Sequence, residues 1–243
     1  MNINQVIHTI QGEGKNLGVP SLLIRTQGCN LKCSFCDTKY SINNKETNIN
    51  LQKEINYYIS KYIFNNIIIT GGEPFLQIIE LMNELSGYNK LENKNIEIET
   101  NGTLITQENA YVLSDSKFKS ITLNISPKFD IESYSNTNHK ILNLHDILLE
   151  YQKNLQILYD FKIDFIIKFI YEHSKYENTI LQFIRNNRLK EKNIPIYVMT
   201  KTENNEMDFE RCLKTVEFCK RYNLIYTPRI HLPLFKKDIT ESI

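Results

Sequence analysis

Short apolar runs alternate with helix-patterned stretches along most of this chain. Six runs have the length and apolar composition of buried strands, at residues 19–25, 66–70, 95–99, 120–125, 164–170 and 194–199. Apolar residues at helical spacing predict helices over 51–63, 75–85, 107–113, 143–158, 176–187 and 207–222. This alternation of strands and helices predicts a mostly parallel sheet with covering helices, and therefore an α/β fold.

Two segments fall outside that alternation. Residues 4–18 show little apolar periodicity and contain Gln11-Gly12-Glu13-Gly14, whose glycines permit close backbone approach. They are predicted to form a binding loop, with a plain surface turn as the alternative. Residues 226–243 contain Pro228 and Pro233 and are predicted to be irregular. Because 243 residues suit one substantial core and low-complexity linkers are lacking, a single domain over 1–243 is expected.

Polar segments follow three of the predicted strands. They are Gly71-Gly72-Glu73-Pro74, Glu99-Thr100-Asn101-Gly102 and Ser126-Pro127-Lys128. Parallel α/β sheets and barrels bind their ligands at the carboxyl ends of strands. The three segments are therefore expected to share one site.

Three cysteines lie within eight residues, as Cys29, Cys33 and Cys36, in the spacing C-x3-C-x2-C. Thiolates are the usual ligands of iron–sulfur clusters, and a four-iron cluster normally takes four of them. With three together, one iron is left open to another ligand. A zinc site is the alternative, but structural zinc prefers a complete set of four protein ligands, typically arranged in the sequence as two short-spaced pairs.

The remaining cysteines, Cys212 and Cys219, are spaced to lie on one face of a predicted helix, as core thiols do. With cluster-type thiols and no targeting segment, a reducing cytoplasm is the expected compartment. The formal net charge of +1 gives no indication of a nucleic-acid surface. The chain also contains no apolar run as long as a membrane span.

Several charged residues stand out by position. Arg25 ends a strand beside the cysteines and is a candidate carboxylate clamp, because its planar group binds carboxylates in a bidentate manner. Lys168, within an apolar strand, is expected to be functional or paired, since an unpaired buried lysine is costly. For Glu73, Glu99 and His231, ligand contact and a structural role both stay open.

The cysteine motif and the Gly71-Gly72-Glu73-Pro74 segment resemble the radical S-adenosylmethionine (SAM) superfamily. The resemblance implies a four-iron, four-sulfur (4Fe-4S) cluster on Cys29, Cys33 and Cys36, with SAM on the fourth iron. It further implies reductive cleavage of SAM to a radical that takes a hydrogen atom from the substrate. In this family the cofactor carries out that radical chemistry, while the protein orients the cofactor and excludes water.

A closer resemblance covers most of the chain. Gln11-Gly12-Glu13-Gly14, Arg25, Gly28-Cys29-Asn30-Leu31 and Cys36-Asp37-Thr38 are similar to the 7-carboxy-7-deazaguanine synthase family. Such enzymes are carbon–nitrogen lyases of 7-deazapurine and queuosine biosynthesis. They convert 6-carboxy-5,6,7,8-tetrahydropterin to 7-carboxy-7-deazaguanine with loss of ammonia, and they use Mg²⁺.

The same resemblance implies residue roles. It assigns Mg²⁺ to the hydroxyl of Thr38, a hard oxygen ligand. SAM contacts are expected at Phe35, Asp37, Gly72, Ser126, Pro127 and Lys128. Pterin contacts are expected at Ile10, Gln11, Gly12, Glu13, Arg25 and Thr70, with Arg25 on the carboxylate.

The resemblance also implies an incomplete, open (βα)6 barrel, a cluster loop over residues 26–50, a homodimer, and a flavodoxin or ferredoxin as reductant. Two other functions stay open at this point. An activase that places a glycyl radical on a partner enzyme would share the cysteine motif without needing the Gln11-Gly12-Glu13-Gly14 loop. A non-catalytic zinc-binding module would need neither SAM nor a substrate.

Overall fold

Eight strands form one sheet in the computed structural model of the chain, and their order in space follows their order in sequence. The structure describes residues 1–34, 36–42, 49–129, 134, 143–172, 176–202 and 207–235. The strands are β1 Ile3–Ile10, β2 Pro20–Thr26, β3 Asn66–Gly71, β4 Asn95–Thr100, β5 Ser120–Ile125, β6 Asp164–Tyr171, β7 Ile196–Thr200 and β8 Ile225–Tyr226. Strand β1 is antiparallel to β2, whereas β2 to β8 are parallel to one another.

Seven α-helices lie within these described ranges. They are α1 Leu51–Lys61, α2 Ile78–Ser86, α3 Gln107–Ser114, α4 Leu144–Asp160, α5 Glu177–Asn186, α6 Phe209–Tyr222 and the short α7 His231–Leu234. Local sequence defines several of their starts. Thr106 and Asn143 each form a reciprocal capping box at the start of α3 and α4, and Asn50 caps α1. Such side chains satisfy amide groups that the first helical turn leaves unpaired.

The two faces of the sheet differ in chemistry because successive side chains of a strand point to opposite sides. One set of alternate positions packs with the helices into a single hydrophobic core; it includes Leu22, Ile24, Ile67, Ile69, Ile96, Ile98, Leu123, Ile125, Ile167 and Val198. The other set includes buried polar residues, at Arg25, Glu97, Asn124 and Lys168. The inner face of the open barrel is therefore where a polar ligand site can form.

The predicted open barrel is confirmed, since the sheet order runs from β1 to β8 and no pairing between these two ends is found in the described parts of the chain. All six predicted strands are present, but two further strands were missed. Strand β1 lies in the segment predicted to be a loop, because polar residues between Ile3 and Ile10 hide its pattern; pairing with β2 supplies its order. Strand β8 has only two residues and depends on its register with β7.

The helix predicted to begin at residue 75 begins at Ile78, because a 3-10 turn, Pro74–Leu76, precedes it. The carboxylate of Glu73 accepts a hydrogen bond from the backbone N–H of Phe75 and so stabilises this turn. The predicted irregular tail contains α7 within its described part. No helix in the described ranges is long and apolar enough to span a membrane.

Gly72 allows the end of β3 to approach the loop that carries the cysteines. A Cβ at Gly72 would lie 1.8 Å from the carbonyl oxygen of Gly28. Two backbone hydrogen bonds close this contact, from Gly72 N to Thr26 O at 3.2 Å and from Glu73 N to Gly28 O at 2.8 Å. The start of the cysteine loop is thereby fixed against the sheet edge.

Replacing Gly72 by alanine should reduce the free energy of unfolding by about 1–3 kcal/mol, because the new methyl group meets backbone atoms that have little room to move. Urea unfolding would measure the loss. Gly87→Ala is the matched control, since Gly87 is exposed in a helical conformation with φ of −71°. Equal stability of the Gly72 variant and wild type would contradict the proposed close contact.

Candidate active site

A cavity of about 840 Å³ opens on the inner face of the sheet. It is lined by most residues that the sequence marks as functional: Ile10, Gln11, Gly12, Glu13, Arg25, Cys29, Cys33, Cys36, Asp37, Thr38, Thr70, Gly72, Ser126 and Lys128. Pro127 lines a small neighbouring pocket instead. Phe35 lies outside the described residues. One cavity thus joins the cysteine loop to the segments expected to bind SAM and substrate.

All five cysteines are thiols without disulfide partners, and the three in the C-x3-C-x2-C motif are half-buried. Burial, with smaller contributions from the nearby Glu73 and Cys33, raises the pKa of Cys29 to about 12. A thiolate at this position therefore needs positive charge from a bound metal centre. Among the described residues, no group of three or more His, Cys, Asp or Glu side chains is placed to hold one metal ion. A four-iron cluster binds its cysteines through different irons, so its ligands need not meet at one point.

Cys212 and Cys219 lie on α6, away from this cavity. Cys219 is buried against the core, and burial raises its pKa to about 11. Cys212 is half-buried. Neither residue lines the cavity, and the prediction of a core thiol is confirmed for Cys219 but not for Cys212, which lies outside the hydrophobic core.

The loop that carries the cysteines is tied to the end of β4 by side-chain amides. Asn30 Nδ2 donates to Thr103 Oγ1 at 2.8 Å, and Asn101 Nδ2 donates to Asn30 Oδ1 at 2.9 Å. Thr103 Oγ1 in turn donates to Asn101 Oδ1 at 2.6 Å. Because these residues lie on two different loops, the ends of β2 and β4 are held together at the cavity.

Glu73 has a structural role in this geometry. Its buried carboxylate accepts from Thr100 Oγ1 at 2.7 Å, from Asn101 N at 2.8 Å and from Phe75 N at 3.1 Å. Burial raises the pKa of Glu73, while these donors act in the opposite direction. The side chain does not line the cavity. Of its two possible roles, the structural one is therefore favoured.

The Ser126-Pro127-Lys128 segment is held by two tyrosines that the sequence does not mark. Tyr151 OH donates to Asn101 O at 2.9 Å and accepts from Lys128 N at 2.9 Å, so it bridges the ends of β4 and β5. Tyr134 OH donates to Lys128 O at 3.1 Å. Lys128 Nζ itself donates to Ser126 Oγ at 2.8 Å. Tyr151 lies on the amphipathic helix α4, where the sequence pattern does not distinguish a bridging tyrosine from an ordinary core residue.

Arg25 is a buried cation on the cavity wall. It is only 5% exposed, and β2–β3 pairing places it in register with Thr70. Its Nε donates to Gln5 Oε1 at 3.4 Å, and its guanidinium carbon lies 5.6 Å from the centre of the Tyr40 ring. The guanidinium is thereby held at the site with a positive charge that suits a carboxylate ligand.

Lys168 is the centre of a buried ionic cluster. Its Nζ lies 2.9 Å from Glu13 Oε1 and 2.5 Å from Glu99 Oε2. Burial alone would raise the pKa of Glu13, but the charges of Lys168, Arg229 and His231 lower it to about 2. Burial raises the pKa of Glu99. Of the two expectations for Lys168, a functional role or pairing, the structure shows the pairing, with Glu13 and Glu99 as partners.

Arg229, from the segment after β8, contacts both sides of the cavity. Its Nε lies 3.5 Å from Glu13 Oε2, an ion pair without a hydrogen bond, and Nη2 bonds to Asp37. Nη1 donates to Thr202 Oγ1 at 2.8 Å. The sequence did not single out Arg229 or Thr202 as site residues, because only the fold brings them near residues 13 and 37.

His231 covers the glycine of the N-terminal loop. A Cβ at Gly12 would lie 2.1 Å from His231 Nδ1, so this imidazole packs directly on the glycine backbone. Ile230 N donates to Gly12 O at 3.0 Å. Burial lowers the pKa of His231. Both the loop and the tail therefore contribute to one wall of the cavity.

Replacing Lys168 by methionine should lower the free energy of unfolding at neutral pH by about 3–5 kcal/mol, because it leaves Glu13 and Glu99 buried without their shared cation. Urea unfolding would measure this. Lys201→Met is the matched control, because the Lys201–Glu172 pair is more exposed, at 23% and 35%, and should cost about 0–1 kcal/mol. Equal losses in the two variants would contradict the assigned cluster.

The same variant should respond differently to acid. The pKa of Glu13 is lowered from 4.5 to about 2, so its contribution to stability is present above pH 4.5 and is lost as the pH falls toward 2. The difference between wild type and Lys168→Met should therefore narrow over that range. A difference that stays constant between pH 5 and 2.5 would argue against an ionic contribution from Glu13.

Comparison with known proteins identifies relatives that align with most of this chain. Residues 23–216 match the Radical SAM superfamily. The 7-carboxy-7-deazaguanine synthase of Clostridium acetobutylicum is 35% identical over 207 residues, covering 78% of this chain and 90% of that protein. The synthase of Thermoplasma acidophilum is 34% identical over 172 residues, covering 70% and 78%.

Solved structures share the fold. The crystal structure of QueE from Escherichia coli superposes with a TM-score of 0.60 at 20% identity, covering 94% of this chain and 93% of that one. The structure of native anSMEcpe with bound AdoMet and Kp18Cys peptide gives a TM-score of 0.58 at 19% identity, covering 85% of this chain and 62% of that one. At these identities the likeness concerns the fold.

Proposed function

The chain belongs to the 7-carboxy-7-deazaguanine synthase family of the radical SAM superfamily, and on that premise we propose that it makes 7-carboxy-7-deazaguanine. The substrate is 6-carboxy-5,6,7,8-tetrahydropterin, and ammonia is lost during ring contraction. The product belongs to the biosynthesis of queuosine and other 7-deazapurines. The observation that carries this proposal is the single cavity in which three clustered thiols, a buried arginine and the N-terminal loop meet.

We assign a 4Fe-4S cluster to Cys29, Cys33 and Cys36, supported by their common position on the cavity wall. When bound, the cluster with SAM on its open iron supplies reductive SAM cleavage and hydrogen abstraction. Gly72 and the Ser126-Pro127-Lys128 segment are the proposed SAM-binding residues, with Phe35 and Asp37 beside the cluster. The close approach at Gly72 and the hydrogen bonds that fix Lys128 support a rigid binding edge.

The pterin is assigned to the wall formed by Ile10, Gln11, Gly12 and Glu13, together with Thr70, which lies in register with Arg25. Arg25 takes the carboxylate of the substrate, because it is buried, charged and shaped for bidentate contact. The cavity of about 840 Å³ lies toward the upper end of the range of about 300–1,000 Å³ that ligand pockets commonly span. Enclosure by loop and tail would exclude water from the reaction.

Mg²⁺ is assigned to the hydroxyl of Thr38. Thr38 Oγ1 lies 3.4 Å from Gly71 O and 3.6 Å from Cys36 Sγ, on the cavity wall. Mg²⁺ usually takes one or two protein oxygens and fills its remaining positions with water and substrate. A single threonine is therefore a sufficient protein anchor when the substrate supplies a carboxylate.

The remaining partners follow from this chemistry. Reduction of the cluster requires a low-potential donor, which we propose to be flavodoxin or ferredoxin. The cytoplasm is the proposed compartment, because it keeps cysteine thiols reduced and so available as cluster ligands. A homodimer is proposed from the family resemblance, and one domain over residues 1–243, with the cluster loop at 26–50, remains the proposed organisation.

The decisive experiment is turnover by anaerobically reconstituted protein. With SAM, Mg²⁺, dithionite and 6-carboxytetrahydropterin, mass spectrometry should detect 7-carboxy-7-deazaguanine, dependent on SAM and on the pterin. SAM cleavage without pterin consumption would instead favour the glycyl-radical activase. A colourless protein without SAM cleavage would favour the zinc-binding module.

Cys33→Ala should abolish both the visible absorbance of the cluster and turnover, because the cluster would lose one of its three protein ligands. Cys212→Ala is the matched control and should keep both, since Cys212 lies outside the cavity. Iron analysis and absorbance after reconstitution would measure the effect. Full cluster content in the Cys33 variant would remove Cys33 as a ligand.

Thr38→Ala should raise the Mg²⁺ concentration needed for half-maximal activity about tenfold, as expected when a metal ligand or its direct support is lost. Thr38→Ser keeps the hydroxyl and should respond as wild type does. Titration of activity with Mg²⁺ would distinguish these outcomes. An unchanged response of the alanine variant would exclude Thr38 as the Mg²⁺ ligand.

A further inference from the structure

Glu97 is a buried carboxylate surrounded by side-chain amides. It lies on β4, is 1% exposed and does not line the cavity. Its Oε2 accepts from Gln11 Nε2 at 2.7 Å and from Asn124 Nδ2 at 3.1 Å, while Oε1 accepts from Asn16 Nδ2. One carboxylate therefore joins the N-terminal loop to the interior of the sheet.

This contact determines the orientation of the Gln11 amide. A carboxylate can only accept hydrogen bonds, so Gln11 must turn its NH₂ group toward Glu97. The same nitrogen lies 3.5 Å from Glu99 Oε1, so both neighbours favour this orientation. A reversed amide would bring its oxygen against carboxylate oxygens.

The oxygen of Gln11 is left for other partners. It accepts from Glu13 N at 3.4 Å, a long contact, and an amide oxygen has two lone pairs. Gln11 lines the cavity although it is only 4% exposed. The side-chain oxygen of Gln11 is therefore available to accept a hydrogen bond from a ligand in the cavity.

We propose that Glu97 is a positioning residue that fixes the Gln11 amide so that its oxygen accepts an N–H group of the substrate. The inference rests on the proposed function, because a reduced pterin carries several N–H donors. Glu97 acts only through Gln11 and touches no reactant. It thereby selects ligands that present a donor, rather than an acceptor, at this part of the cavity.

A purely structural role for Glu97 would give a different pattern. In that case Glu97 would hold the N-terminal loop through all its partners, and losing any of them would matter similarly. Under our proposal the contact with Gln11 is decisive for substrate binding. Asn16 bonds to the other carboxylate oxygen, so its loss leaves the Gln11 contact in place.

The test compares Glu97→Gln, Gln11→Ala and the double variant in reconstituted full-length protein. A glutamine at position 97 can donate as well as accept, so position 97 no longer enforces one orientation of the Gln11 amide and only the longer contact with Glu99 still favours it. We expect the KM for 6-carboxytetrahydropterin to rise about tenfold, the size expected for one lost buried hydrogen bond, with kcat changed less than about twofold. Cluster absorbance and the dissociation constant for SAM should stay as in wild type.

The double variant separates a positioning role from a general one. If Glu97 acts through Gln11, the double variant should have the same KM as Gln11→Ala alone, within about twofold. Asn16→Ala is the matched control and should keep the wild-type KM. Additive effects, or an equal rise in Asn16→Ala, would overturn the proposal.

Two further measurements keep the outcome clear. If Glu97→Gln fails to take up a cluster, Glu97→Asp replaces it in the same cycle, because aspartate keeps the charge but shortens the reach to Gln11. Wild type is assayed first with SAM and the pterin. Lack of turnover by wild type would refute the proposed function, whereas additivity in an active enzyme would refute only the role of Glu97.

Discussion

The need to neutralise Lys168 inside the barrel organises the walls of the cavity. An unpaired ammonium group is costly in such an environment, and Lys168 is almost fully buried. Glu99 comes from a neighbouring part of the same sheet, but Glu13 comes from the N-terminal loop. The loop is therefore drawn onto the inner face of the sheet, and Arg229 follows because it pairs with Glu13 in turn.

The cysteine loop depends on a second constraint, which is close backbone contact. Gly72 lets the end of β3 meet Gly28, and the buried carboxylate of Glu73 joins that strand end to Asn101. These contacts involve main-chain atoms, so the site edge is determined by the fold more than by flexible side chains. Arg229 then connects Asp37 of the cysteine loop to Glu13 of the N-terminal loop, and thus the two halves of the cavity.

This arrangement explains how one cavity can serve a polar substrate and a charged cofactor. Lys168 on its wall is paired with Glu13 and Glu99, and the amide of Gln11 is held by the buried carboxylate of Glu97. Fixed donors and acceptors of this kind need little rearrangement when a ligand binds, which favours selective recognition. The geometry therefore indicates a preorganised cavity at the carboxyl ends of the parallel strands.

The sequence by itself determined the α/β class, the six central strands and the chemistry of the cysteine motif. These features are local: strand and helix patterns repeat over a few residues, and Cys29, Cys33 and Cys36 lie within eight residues. It also indicated that Lys168 needed a partner. Only the tertiary structure decided that the partners are Glu13 and Glu99, that Tyr151 bridges two strand ends, and that Glu97 orients Gln11. Those contacts join residues far apart in the chain, so no local pattern encodes them; strand register and loop placement bring them together.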